Sequence, residues 1–356
     1  MNSEPHSPQI GEDQLKIKTK HATRLKVAGT LLTFAGVLLF AYFVYSTGVD
    51  EIAANIAHFG WVGFGVILVI YAVRIVLRGL AWKLSVYEPY NLRLKDTVPA
   101  VIIGEAMSSM IPLGILVSGT AKAVAVRKRV PLVVGLSSVA TENLFYSFAT
   151  SIFLILGALT FVRSYALDET TAITIDVLIG VIAAIVVFLL LLIVRQWHFA
   201  SEACEALYRR GWFPNLLENG RMQVRLFENL IYGFYRRHPN RFLPIFLTVI
   251  AFHALGVFEV WFILTRIVEP AGQFLNAFLL ESVSRLITIV FKLVPFVIGV
   301  DEAGAQFVAE TVGLGAAIGV TIAIIRKGRI LFWTGIGLLL ILKRGLSVRE
   351  IRRAAE

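Results

Sequence analysis

Residues 98–129 read VPAVIIGEAMSSMIPLGILVSGTAKAVAVRKR, and the fold turns on how this stretch is taken. Val98 to Met110 is apolar but too short to cross a bilayer, which takes roughly 20 residues of helix. Pro112 and Gly114 interrupt it, and a second short apolar piece then runs to Arg127, Lys128 and Arg129. Lys83, Arg93 and Lys95 stand ahead of it. Two short apolar segments around a Pro/Gly break, basic at both ends, predict a hairpin that enters the membrane and returns to the same side. Broken backbone is tolerated at that depth only where protein or a watery cavity satisfies its polar groups. The hairpin therefore implies an internal interface.

Working outward, the composition fits a membrane chain, with 57% hydrophobic and only 16% charged residues. Apolar stretches long enough to span occur at 27–45, 60–82, 132–162, 172–194, 243–264 and 314–342. The first is longer than a signal-peptide core and lacks a small-residue cleavage site, so it is expected to be a retained span. The polar residues before it, Met1 to Lys20, are expected to be disordered. The net charge of +10 could suggest nucleic acid, but the basic residues lie between apolar stretches, where orientation in a membrane puts them. Lys16 to Lys26 at one end and Lys343 to Arg353 at the other predict both termini in the cytoplasm of a cell with this protein in its inner membrane. The single cysteine, Cys204, excludes an internal disulfide and a thiolate metal cluster.

A second broken pair, 274–293 and 300–312, surrounds Pro295 and Gly299. The expected fold is thus all-α and polytopic, with about six spans and two re-entrant hairpins. The unit span–hairpin–span occurs twice, as an inverted repeat over 24–195 and 242–344. A basic amphipathic connection (196–241) joins the halves, with Met222 to Tyr235 on the membrane surface, and a tail follows at 345–356. Repeats with broken helices characterise many transporters, whose sites lie at the midplane between the halves. The last span leaves one alternative open, a split at Arg326 to Arg329.

A charge at the bilayer centre costs on the order of 3 kcal/mol, so each needs a reason. Glu142 lies well inside its span, as do Arg326, Lys327 and Arg329. Aligning the repeats on their prolines brings Glu142 within a residue of Arg326, which predicts an ion pair across the halves. Glu281 and Arg285 stand at i,i+4 on one helical face, with Lys292 two turns on. Asp301 and Glu302 should sit at the second break and Glu105 in the first hairpin. Arg74 and Arg78 share a face with Trp82, which is read first as snorkelling beside an interfacial Trp and second as an anionic head-group clamp. His253 and Glu259 do not make a metal-ligand spacing, and His253 is read as a core histidine. No phosphate-binding G-x-x-x-x-G-K-[ST] loop, H-E-x-x-H, G-x-S-x-G or Cys cluster occurs, so neither an enzyme nor a cofactor is expected.

At the two hairpins the sequence resembles the flippase-like membrane domain family. That family is typified by the transmembrane region of lysylphosphatidylglycerol synthase and by hopanoid-biosynthesis-associated membrane proteins. The resemblance covers roughly Arg24 to Arg344. Pro295, Gly299 and Glu302 match the family's Pro-Gly-Gly-apolar-Gly-x-x-Glu pattern, while Phe296 and Val297 replace its paired glycines. Arg74, Arg78 and Trp82 resemble its Arg-rich end of span two, and Ile111-Pro112 its first break. The stretches Phe258 to Trp261 and Glu281 to Arg285 look most like the hopanoid-associated branch. Where members carry Glu-Arg, this chain has Glu142 and Asn143. The resemblance implies transbilayer movement of a phospholipid or polyisoprenoid lipid, with membrane lipids as partners. Head-group synthesis is then expected elsewhere, since this stretch contains no aminoacyl-transferase domain. A non-transporting scaffold that partners a lipid-synthesising enzyme, and an intramembrane lipid transferase, are the alternatives.

Overall fold

The computed structural model describes residues 34–110, 114–211, 214–268, 273–290 and 295–344. Pro112 and Lys292 lie outside them, as do the polar N-terminal segment and the C-terminal tail. All regular structure among the described residues is helical. The helices are α1 (described over Phe34–Thr47), α2 (Val49–Leu84), α3 (Leu94–Met110), α4 (Gly114–Ala125), α5 (Leu132–Ser164) and α6 (Glu169–Arg195). They continue with α7 (Phe199–Arg209), α8 (Pro214–Arg237), α9 (Phe242–Ile267), α10 (Phe274–Val290), α11 (Val300–Thr311) and α12 (Ala316–Lys343).

This is the polytopic architecture the apolar pattern predicts. Among the described residues four helices, α2, α5, α6 and α9 with its short lead-in turn, are long and apolar enough to cross a membrane. Helix α12 runs unbroken through Arg326, Lys327 and Arg329, which decides against a split there. Its 28 residues reach about 42 Å, more than the hydrocarbon core requires. Helix α2 starts earlier than its apolar stretch suggests. The connection around Asp50 and Glu51 is itself helical, and Gly60, at φ 65° and ψ 176°, kinks it into the span.

Helices α2 and α9 pack antiparallel. Phe59 of α2 meets Phe262 of α9, Arg74 lies on Phe252, and Arg241 at the start of α9 donates to the carbonyl of Val86 after α2. Rising numbers on one helix thus meet falling numbers on the other. The α3–α4 pair follows the end of α2 and the α10–α11 pair follows the end of α9, so the two pairs start from opposite sides. Each first arm packs on the other half: α3 on α12 and α10 on α5. Both crossings are close. A Cβ on Gly337 would sit 2.5 Å from the Ala106 Cβ and 2.9 Å from the Ile102 carbonyl oxygen. At Gly157 the Ser282 side chain fills the space a Cβ would need. Helices in lipid gain no hydrophobic drive to associate, so small residues that allow close contact carry the packing.

Helix α6 is peripheral, with 6% of its apolar window buried against 50% for α9, and it packs on α5. The connection between the halves is more built than a surface helix. Helices α7 and α8 pack together, and the Glu228 carboxylate caps α7 by accepting the Ala200 and Ser201 N–H groups at 2.9 and 3.3 Å. The end of α8 then docks on α5, burying Phe234 and stacking Tyr235 on Phe145 at 5.5 Å. Cys204 lies on α7, half-buried. If this connection faces the cytoplasm, an impermeant thiol reagent should leave intact cells unlabelled at Cys204 and label them after permeabilisation. Labelling of intact cells would reverse the orientation.

Candidate functional site

The intramembrane charges converge where the two halves meet. Arg74 lies 10 residues before the end of α2, and Glu142 the same number after the start of α5, each about 15 Å from a helix end. Arg329 stands at the middle of α12. These side chains therefore lie well inside their helices rather than at the ends.

Glu259 and Glu281 are the hubs. Glu259, 1% exposed, accepts Arg74 Nη1 at 3.0 Å and pairs with Arg329. Glu281, fully buried, lies 3.6 Å from Arg74 Nη2 and 2.7 Å from Arg326 Nη2, and pairs with Arg285 one turn on. Helices α2, α9, α10 and α12 are thereby pinned together. Gly256 leaves the space: a Cβ there would fall 2.6 Å from Glu281 Oε1 and 3.0 Å from Arg74 Nη2. A second group is adjacent. Glu142 accepts Arg78 Nε at 2.7 Å and lies 3.5 Å from Lys122 Nζ, while Arg78 Nη2 donates to Asn143 Oδ1 at 3.2 Å. Tyr146 joins the groups, with its ring 3.9 Å beneath the Arg78 guanidinium and its hydroxyl oxygen 3.3 Å from Arg285 Nη1.

Several expectations change here. The predicted Glu142–Arg326 pair does not form; each finds a partner in its neighbourhood, Arg78 and Lys122 for Glu142 and Glu281 for Arg326. Linear alignment of the repeats ignores which helices are antiparallel neighbours. Nor do Arg74 and Arg78 snorkel: both point into the bundle, and Arg74 is 2% exposed. Trp82 is no belt residue, being buried and donating its indole N–H to Ser138 Oγ at 2.9 Å. His253 is a core residue as expected, stacked on Phe153 and bonded to Thr150 Oγ1 at 3.0 Å. The i,i+4 pair Glu281–Arg285 forms. Glu105 accepts the Tyr71 hydroxyl at 2.9 Å, apart from the hubs. Lys122, Glu259, Tyr71 and Tyr146 were not picked out as site residues. For Lys122 and Glu259 the signal was present, since each is a lone charge in an apolar segment.

The second break is held by charge. Phe296 and Val297 adopt left-handed φ values of 53° and 49°, unfavourable for residues with a Cβ and worst for a β-branched one. Lys327 Nζ lies 3.4 Å from each of their carbonyl oxygens and 2.9 Å from Glu302 Oε1. Glu302 Oε2 in turn accepts the Gly299 N–H at 2.7 Å, the backward half of a capping box. Gly299 itself, at φ 82°, abuts α1 where a Cβ would lie 2.6 Å from the Gly36 carbonyl oxygen. Removing one member of a buried pair costs about 3–5 kcal/mol. Lys327→Met should therefore lower the melting temperature in detergent and open the 295–299 amides to hydrogen exchange. Unchanged exchange there would deny Lys327 its part in the break.

The family model of the lysylphosphatidylglycerol synthase TM region matches residues 26–337. The chain belongs to this family. It is a multi-pass membrane protein, and membership in the lysylphosphatidylglycerol synthase TM family relates it to lipid handling. No curated protein and no solved structure matches it.

Three features of this member bear on chemistry. Arg78, Lys122 and the four hub arginines face Glu105, Glu142, Glu259 and Glu281, an excess of two positive charges, of which Asp301 beside Arg326 offsets one. The Nε atoms of Arg74, Arg285 and Arg329 are buried with no hydrogen-bond acceptor among the described residues. Finally, Arg78, Arg285 and Arg326 keep 14%, 16% and 15% of their side chains exposed, whereas Arg74 and Arg329 keep 2% and 5%. The first three are thus the more accessible members of the network, and the other two are enclosed in it.

Proposed function

We propose that this chain is a lipid translocase of the inner membrane that moves a phospholipid or polyisoprenoid lipid by passing its head group between the two halves. The row Arg78–Arg285–Arg326 carries this reading: three partly exposed guanidinium groups at bilayer depth, in a site short of negative charge. An isolated charge cannot be left in hydrocarbon. A phosphate that enters the row exchanges water for fixed N–H donors, and guanidinium groups bind phosphate oxygens in bidentate fashion. The tails stay in the bilayer while the head group follows the charged interface. With both termini in the cytoplasm, α3–α4 enters from the cytoplasmic side and α10–α11 from the outer side. The two hairpins then offer access to the site from opposite leaflets. The proposed act is transport and not bond chemistry, driven without nucleotide by the lipid gradient, the membrane potential or an ion.

The test is reconstitution into liposomes with head-group-labelled lipids, read by chemical quenching of the outer leaflet. Movement faster than in protein-free vesicles for at least one phosphate-bearing class is the expected result. No movement for any class would reject translocation, and a lipid changed in mass would point to a transferase instead.

A further inference from the structure

A separate small cleft opens between α2, α3 and α12, lined by Tyr71, Glu105, Ser109, Ile330, Trp333 and Thr334, with a volume of about 20 Å³, room for one water-sized group. Its chemistry is opposite to that of the arginine row. Glu105 has no cation within ion-pair distance among the described residues; its carboxylate accepts the Tyr71 hydroxyl at 2.9 Å. Ser109 Oγ donates to the Glu105 carbonyl at 2.7 Å, so toward Thr334 it can only accept, and one further lone pair is left. Thr334 Oγ1 lies 3.4 Å from it. Trp333 forms an aromatic wall, its ring centroid 6.3 Å from that of Tyr71. On the far side of this small space, Arg329 lies 4.0 Å over the Tyr71 ring, so Tyr71 stands between the cleft and the arginine network.

A carboxylate, two hydroxyl oxygens and an indole ring around one opening supply acceptors and π density, with no cation in ion-pair contact among the described residues, although Arg78 and Lys122 feel the Glu105 charge from farther off. The geometry points to a subsite for a primary ammonium group. Its three N–H donors match Glu105, Ser109 and Thr334, and its charge suits the Trp333 face. A trimethylammonium group has no N–H to give these oxygens, so the site discriminates primary from quaternary amines. The ammonium can come from a lipid head group or from a soluble amine. The first source rests on the lipid-handling reading above; a head group carrying both phosphate and amine would then bridge the arginine row and the cleft.

Native mass spectrometry of the purified chain from nanodiscs of equimolar phosphatidylethanolamine, phosphatidylcholine and phosphatidylglycerol tests the lipid source. Calorimetric titration with ethanolamine and with choline, in detergent without lipid, tests the soluble one. We expect the ethanolamine lipid to be retained about tenfold over the choline lipid, the preference disappearing in Glu105→Gln and weakening in the near-isosteric Thr334→Val. A preference for ethanolamine over choline without lipid enrichment would assign the site to a soluble amine. Absence of any primary-over-quaternary preference, or its persistence in both variants, would overturn the proposal. Neither measurement reads movement across the bilayer, so failure of translocation and failure of this subsite are distinguishable.

Discussion

Glu281→Gln is expected to abolish the folded state. The substitution keeps the size of the side chain and one carbonyl acceptor, but it removes the charge that faces Arg74, Arg285 and Arg326. All of this happens at a residue with no solvent exposure. Breaking a buried ion pair by deleting one partner costs about 3–5 kcal/mol. Here several guanidinium groups lose their counter-charge at once, in a chain whose stability is expected to be about 5–15 kcal/mol. Size-exclusion chromatography in mild detergent should show aggregate, and any residual monomer should melt more than about 10 °C below the parent. Glu310→Gln is the control, because Glu310 is exposed and accepts from Gln306 at 3.1 Å on the same helix. A monodisperse Glu281→Gln protein with an unchanged melting temperature would show that the hub does not hold α2, α10 and α12 together. Gly256→Ala should produce a milder form of the same defect, since its methyl group would press on the Glu281–Arg74 contact.

The second large effect concerns movement rather than folding. Arg285→Gln and Arg326→Gln should each reduce the initial rate of lipid movement in liposomes by about 10- to 150-fold, the loss of one charge-assisted contact of about 1.5–3 kcal/mol. Both leave Glu281 with cationic partners, so the protein should remain folded. Replacement by Lys retains the charge but not the planar fork and should give intermediate rates. Arg266→Gln, on an exposed arginine that reaches the Phe262 ring at 5.8 Å, should move lipid at the parental rate. Folded Gln variants with parental rates would remove the arginine row from the pathway, even if the parent itself translocates. Loss of rate in the Arg266→Gln control as well would point to a general charge effect.

These expectations depend on pairings that had to be seen. Charges in apolar segments announced themselves at Glu142, Glu281 and Arg326, because each would be costly at bilayer depth without a partner. Beyond the i,i+4 pair Glu281–Arg285, what the linear order could not supply was the partner on another helix. Alignment on the prolines joined Glu142 to Arg326, whereas the bundle gives Glu142 to Arg78 and Lys122, and Arg326 to Glu281. Arg74 and Arg78 were misread for a related reason. A position in the last third of a span permits snorkelling, and only the carboxylates of Glu259 and Glu142 on neighbouring helices make the inward direction favourable. Helices α7 and α8 were partly missed because the first is short and its amphipathic face has no apolar run to mark it.

The sequence by itself determined the membrane class, the order of long and short helices, and which residues carry a charge that must be explained. Those follow from local composition and from the length a bilayer demands. The tertiary structure decided which face of each helix turns inward, which helices are antiparallel neighbours, and so which charges neutralise one another and which stay partly exposed. Ion pairing depends on distances between residues as far apart as Arg74 and Glu259. Those distances are fixed by close glycine crossings between elements and not by any segment on its own.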